Sequence, residues 1–176
     1  DNITPIVLIT LAALFLGYFY TAPPIRLVAR NGLGEISIFT VFGPLMVLGT
    51  SFAIFNGNFL VSSYFNDLLL LSVPIGLLTT NILLINEFPD YEGDLKTGKN
   101  HLVVLLGKKT SRWIYALNLA LAVGSLYYIA ENILNQTQGS LFLYGLIPIT
   151  MIYSYYLIAG LFKNYNSCLI YTSPSP

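Results

Sequence analysis

Five stretches of about 20 residues, each strongly apolar and each free of Asp, Glu, Lys and Arg, dominate this sequence: 3–22, 36–55, 68–85, 113–130 and 141–162. Crossing roughly 30 Å of hydrocarbon takes about 20 residues in a helix, and inside lipid every backbone group must be satisfied within the segment or within a closed barrel. The strict alternation of barrel strands is absent. The expected fold is therefore all-α, a polytopic transmembrane bundle of about five spanning helices. Pro44, Pro74 and Pro148 fall inside three of the runs, where a membrane helix kinks and survives. Composition agrees: 55% of the residues are hydrophobic and 9% charged, against about 25% charged in an average soluble domain.

The eight cations are divided unevenly among the connections. Arg26 and Arg30 follow the first run; Lys96, Lys99, Lys108, Lys109 and Arg112 follow the third; Lys163 follows the fifth. Asp1, 56–67 and 131–140 carry none, so the positive-inside rule places the basic connections in the cytoplasm; the expected location is a bacterial or archaeal cell membrane. Single cysteines at positions 97 and 108 of a cysteine-free variant are expected to label from the cytoplasm, and one at 137 from outside; the reverse pattern would invert the topology. Eight acids balance the eight bases, which leaves no basic excess for nucleic acid and makes lipid the expected surroundings. The lone Cys168 excludes an intramolecular disulfide. Lacking a basic n-region and a cleavage site, the first run is expected to be a retained span, and the opening Asp1 to mark a truncation. The Ser/Pro-rich segment 164–176 is expected to be a non-native tail.

The connection 86–112 is far longer than the roughly 2–8 residues that usually join bundle helices. Its apolar centre, 101–106, suits a short helix or turn at the interface. Ahead of it, Glu87, Asp90, Glu92 and Asp94 crowd into eight residues. Glu87, Asp90 and Asp94 are spaced three and then four, which on a helix shares one face; Pro89 is expected to interrupt a helix continuing from the third run, and Gly93 to loosen the next turn. Clustered oxygen donors suit Mg²⁺, which joins one or two carboxylates to substrate phosphates, while Lys96 and Lys99 lie close enough in sequence to hold further phosphate oxygens. Spacing alone does not separate a diphosphate site from a solvated acidic loop.

Asn86-x-x-x-Asp90-x-Glu92-x-Asp94, then Lys96-x-Gly98-Lys99-Asn100 and Leu102 to Gly107, resembles the second Asp-rich motif of the UbiA-type prenyltransferases and the strip after it. Tyr20-Thr-Ala-Pro-Pro24-Ile-Arg26, Gly32-Leu-Gly34-Glu35 and Phe42-Gly-Pro44-Leu resemble that family's loop after the fourth helix and the start of the fifth. The likeness is strongest to the 1,4-dihydroxy-2-naphthoate prenyltransferases of menaquinone synthesis and covers roughly 5–163. It implies helices four to eight of a nine-helix fold. It further implies Mg-dependent transfer of a polyprenyl group from a polyprenyl diphosphate to an aromatic acceptor, with hydroxybenzoate, homogentisate, haem and chlorophyllide as alternatives to the naphthoate. Carried over by residue, Asp90 and Asp94 are catalytic, Asp90, Asp94 and Glu87 are metal ligands, and Arg26, Asn86, Lys96, Lys99 and Tyr20 are substrate-binding. Pro89, Gly93 and Val28 depart from the family's usual residues. The first Asp-rich motif lies outside this stretch, so the stretch alone is expected to be inactive.

Other polar residues divide between chemistry and structure. Tyr153, Tyr155 and Tyr156 are candidates for stabilising an allylic cation, against the commoner role of interfacial aromatics. Thr79, Thr80, Asn81 and Asn118 are expected mainly to make helix–helix contacts. Glu35 is equally a dipole-favoured first-turn acid and a neighbour of the substrate entrance. His101 reads as structural rather than as a base, and Trp113 as an interfacial belt residue. A cation transporter is the rival class, but it calls for ionisable residues in mid-membrane, and the five runs contain none. An inactive scaffold is the third.

Overall fold

The computed structural model describes residues 2–55, 58–133 and 138–166, apart from the side chains of 138–141 and 143. The suspected tail from residue 167 onward and the labelling position 137 therefore lie outside the described residues. Among those described there are no strands, and the helices match the five expected spans. They are α1, Ile3–Thr21; α2, Leu33–Thr40, which continues through a wider-wound turn into α3, Met46–Ile54; α4, Tyr64–Thr97; α5, Leu102–Leu106; α6, Lys108–Asn132; and α7, Gln138–Asn164. The wider turn, Val41–Leu45, contains Pro44. A π turn is how a helix absorbs a residue that cannot donate its backbone bond, so α2 and α3 remain a single crossing.

The helices pack mainly on their sequence neighbours, α1 on α3, α2 on α4, α4 on α6 and α6 on α7. No residue of α1 is buried, and large apolar side chains such as Leu11, Phe15 and Ile149 lie outward, as lipid requires. A buried apolar cluster sits at the end of the bundle that carries the basic residues. There Leu84, Ile85 and Phe88 of α4 meet Val103 of α5, Tyr115 and Leu119 of α6 and Leu161 of α7. Arg112 joins the same end, its guanidinium 4.5 Å from the Phe162 ring and 4.3 Å from Tyr165. Trp113 meets Phe162 edge-on at 4.7 Å.

Two expectations are corrected. Pro89 does not interrupt the third span: α4 runs 34 residues, through both Pro74 and Pro89, to Thr97. Proline keeps a helical φ and removes one hydrogen bond, and the burial of Leu84, Ile85 and Phe88 around it outweighs that loss. Nor is 86–112 one long connection. It consists of the last turns of α4, a short turn, α5, and the start of α6, with Lys108, Lys109 and Arg112 already helical. Gly98 ends α4 in the left-handed conformation, φ 71°, and the Lys99 N–H returns to the Asp94 carbonyl at 3.0 Å.

Candidate functional site

Because α4 continues past the apolar stretch, the acidic motif is held on a helix rather than on a loop. At about 100° per residue, Glu87 and Asp94 lie roughly 20° apart and Asp90 stands some 40–60° to one side. The burial follows that geometry. Glu87 faces inward and is 4% exposed; Asp94 is half-buried; Asp90 is exposed and has no hydrogen bond or ion pair among the described residues.

The turn after α4 is fixed to the segment between α1 and α2 by backbone bonds. Asn31 N–H donates to the Asn100 carbonyl at 2.6 Å, and Asn100 N–H donates to the Ala29 carbonyl at 3.3 Å. This bridge brings together two motifs about 70 residues apart in the chain. Glu35, in the first turn of α2, accepts the Leu102 N–H on Oε1 at 2.6 Å. His101, 1% exposed, caps α5: its Nδ1 accepts the Val104 N–H at 3.4 Å. The same ring lies between two acids of α4, with Nδ1 3.3 Å from Glu87 Oε2 and Nε2 3.0 Å from Asp94 Oδ2. Burial alone would depress the imidazole, but the close approach of Glu87 and the charges of Glu87 and Asp94 outweigh it, against Lys99. His101 consequently stands above the ordinary histidine range. Lys99 completes the group at 2.8 Å from Asp94 Oδ2.

The other residues singled out from sequence fall around this group. Tyr20, near the end of α1, is half-buried within electrostatic reach of Glu87 and Glu35. Arg26 is exposed on a left-handed backbone, φ 45°, and Arg30 is tied to the Pro24 carbonyl at 2.9 Å. Lys96 is exposed on the last turn of α4, and Lys108 lies 5.2 Å from the centre of the Tyr91 ring. Asn86 is exposed and opens onto a cleft of about 380 Å³ whose floor is α6 and whose walls are α4 and α7, with Ile82, Tyr115, Tyr153 and Leu157 among its lining. A second hollow, about 310 Å³ and almost wholly apolar, shares Leu78, Leu119, Tyr153 and Leu157 with it and continues toward Leu126 and Thr150. Tyr153 therefore lines the cleft, Tyr155 lines a shallower depression beside Leu119 and Met151, and Tyr156 lines none of these hollows.

The intramembrane amides are structural, as their spacing suggests. Asn81 donates to the Tyr115 carbonyl at 2.9 Å and accepts from Asn118 at 2.9 Å, joining α4 to α6. Thr79 and Thr80 bond to carbonyls of their own helix. Sequence reasoning undervalues two residues. Glu35 reads locally as a first-turn acid and His101 as an isolated ring, and only the fold places them together. The available signal is their location in the two motifs that carry the resemblance.

Comparison with known proteins places these motifs in context. The model of a family described as the UbiA prenyltransferase family matches residues 2–169. Over 117 residues the chain is 38% identical to the 2-carboxy-1,4-naphthoquinone phytyltransferase of Synechocystis sp., which covers 66% of this chain and 34% of that one. It is 37% identical over 99 residues to the 1,4-dihydroxy-2-naphthoate octaprenyltransferase of Escherichia coli, 56% of this chain and 29% of that one. A chlorophyll synthase of Avena sativa is 27% identical over 130 residues, 68% and 32% of the two chains. The matched stretch thus spans about a third of each of these relatives. No solved structure matches.

Proposed function

Since the chain belongs to the UbiA prenyltransferase family, we propose that it forms part of an intramembrane enzyme that moves a polyprenyl group from a polyprenyl diphosphate to an aromatic acceptor, and that the acceptor is 1,4-dihydroxy-2-naphthoate. The observation that carries this reading is the juxtaposition of an ionic head and an apolar slot: Asp90 and Asp94 stand one and two turns beyond Asn86, and Asn86 opens the cleft between α4, α6 and α7. Over the eight helical steps from Leu78 to Asn86 the cleft follows about 12 Å of α4. An amphiphile with a multiply charged head and a hydrocarbon tail fits that order of surfaces. The two relatives whose names specify a naphthoquinone or naphthoate substrate are the reason for preferring that acceptor.

Magnesium fits the donor set. Asp90 is free of protein partners among the described residues, and both contacts to Asp94 fall on Oδ2, leaving Oδ1 available; these are hard oxygen donors one turn apart. Bound there, the ion would neutralise the departing diphosphate. Lys99, Lys96 and Arg26 supply cationic donors for phosphate oxygens, with Lys99 already fixed by Asp94. In the reaction, the allylic C–O bond breaks with both electrons going to the diphosphate. The electron-rich ring attacks the prenyl carbon and forms the new C–C bond. The ring carboxylate then leaves as CO₂, and its bonding pair restores the aromatic system. Tyr153 lines the cleft wall, where its ring would stabilise an allylic cation. We place the basic ends of the helices in the cytoplasm of a bacterial or archaeal cell, where both substrates are charged and soluble at the head.

The test uses the full-length parent in membranes, with a labelled polyprenyl diphosphate and a panel of acceptors. Transfer to dihydroxynaphthoate should exceed transfer to hydroxybenzoate or homogentisate by about tenfold or more, the discrimination expected of a site built around the acceptor's polar groups. Transfer to none of them overturns the reaction; preference for another acceptor overturns only the naphthoate assignment.

A further inference from the structure

Apart from the exposed Asp90, the structure contains a second set of donors. Glu35, Glu87 and His101 come from three segments, are all buried, and offer one ligand atom each within 4.8 Å of one another. Oε2 of Glu35 and Oε2 of Glu87 are buried without a well-formed hydrogen bond, although His101 Nδ1 stands 3.3 Å from the second. A buried carboxylate oxygen left in that state is costly, and two of them turned toward one another and an imidazole are costlier still. We propose that Glu35, Glu87 and His101 bind one divalent first-row transition ion, in a site separate from the carboxylates that face the diphosphate.

Charge is the first reason. Two buried carboxylates in contact concentrate negative charge that a dication at their centre would balance. Lys99 cannot be counted against that charge, because it is already paired with Asp94 at 2.8 Å. The surroundings of the donors are the second reason. Metal-bound imidazoles characteristically turn their other nitrogen to a carboxylate, and ligating carboxylates are themselves held by hydrogen bonds. Both features are present: with Nδ1 beside Glu87, His101 Nε2 lies 3.0 Å from Asp94, and Glu35 keeps Oε1 on the Leu102 N–H while Oε2 is free. The bond from Val104 N–H to Nδ1 is long, 3.4 Å, and leaves the lone pair of that nitrogen only weakly engaged.

The donor types indicate which ion. One imidazole nitrogen with two carboxylate oxygens favours Mn²⁺, Fe²⁺, Co²⁺ or Zn²⁺ over Mg²⁺, which prefers oxygen and retains its water. An ion held there would pin α2, α4 and the turn before α5 to one point, next to Asp94. The proposal does not depend on which prenyl acceptor is used or on whether Asp90 holds magnesium.

The experiment uses the purified full chain, stripped with chelator, with Mn²⁺ and Co²⁺ as probes and no diphosphate present. Mn²⁺ should bind with nitrogen-14 coupling to its electron spin. Glu35→Gln, which retains the oxygen that accepts the Leu102 N–H, should weaken Co²⁺ binding about a hundredfold or more, and His101→Gln should abolish the nitrogen coupling. Asp67→Asn, at the far end of α4, should leave affinity within about twofold, as additivity of distant sites predicts. Mn²⁺ bound to the unaltered protein without nitrogen coupling, or binding that follows Asp90 and not Glu35, overturns the site and leaves the trio as a proton-bound clasp. The measurement on the unaltered protein decides this even if a variant fails to fold.

Discussion

Replacing Asp94 by Asn in the full-length parent should lower prenyl transfer by about two orders of magnitude or more, and Asp90→Asn should do nearly the same. The substitution preserves size and some hydrogen-bonding capacity while removing the charge that holds a cation against the diphosphate. A metal that stabilises a leaving group contributes several kcal/mol, and each 1.36 kcal/mol is about tenfold in rate. The two residues should differ in one respect. Asp90 has no protein partner among the described residues, so its loss is confined to the substrate. Asp94 also holds Lys99 and faces His101 Nε2, so Asp94→Asn releases a cation that the structure keeps in position and should raise the KM for the diphosphate as well. Excess Mg²⁺ should restore part of the Asp90→Asn activity and less of the Asp94→Asn activity. Asp67, at the opposite end of α4 and about 40 Å away by helix rise, provides the control, and Asp67→Asn should be close to neutral. The measurement is labelled product per unit of enzyme in membranes carrying matched amounts of each variant. Near-normal rates for both motif variants would remove the cation from the reading and leave the acidic turns of α4 as solvated surface.

The spans are legible in the sequence because their signal is local. A run of uncharged residues long enough to cross lipid has few alternatives, and all five runs coincide with helices to within a few residues except where helices continue into water, as α4 and α6 do. Pro89 illustrates what sequence does not decide. Its intrinsic effect is to break a helix, but Leu84, Ile85 and Phe88 are buried against α5, α6 and α7, and that packing depends on residues from 102 to 161. The site is legible in part for the same reason. Asp90, Asp94, Asn86 and Lys99 fall on one helix and its cap, and their relation follows from spacing. Glu35 and His101 lie 66 positions apart, and their meeting depends on the backbone bridge between Asn31 and Asn100, which no periodicity encodes. Arg112 is legible as a cation that sets topology, but its place over Phe162 and Tyr165 requires the far end of α7.

The largest loss of stability should come from adding a single methyl group where α2 and its wider turn cross α4. A Cβ on Gly43 would lie 2.9 Å from the Ser72 carbonyl oxygen and 3.1 Å from Gly76 Cα, and one on Gly76 would lie 2.7 Å from the Phe39 ring and 2.9 Å from the Phe39 carbonyl oxygen. Three of these four neighbours are backbone and cannot swing aside, so the helices must separate. Close approach through small residues is how membrane helices gain packing when lipid offers no hydrophobic drive. Gly43→Ala and Gly76→Ala should therefore each cost about 2–3 kcal/mol, the upper range for overpacking, even though alanine is the better helix former by about 1 kcal/mol. Gly124→Ala tests the opposite case: α6 has nothing within 4 Å of that position, and the variant should be neutral or slightly stabilising. Thermal retention of the folded peak in detergent distinguishes them. The effect should also reach the site, because α2 carries Glu35 in its first turn, and a shift of α2 from α4 draws Glu35 away from Glu87 and from the Leu102 N–H it holds. Gly43→Ala should accordingly increase protease cleavage in the turn 98–101, while Gly124→Ala should not. Equal stability of the Gly43→Ala and Gly124→Ala proteins would mean that the crossing is looser than the structure has it, and that Glu35 is not held against α4 by this contact.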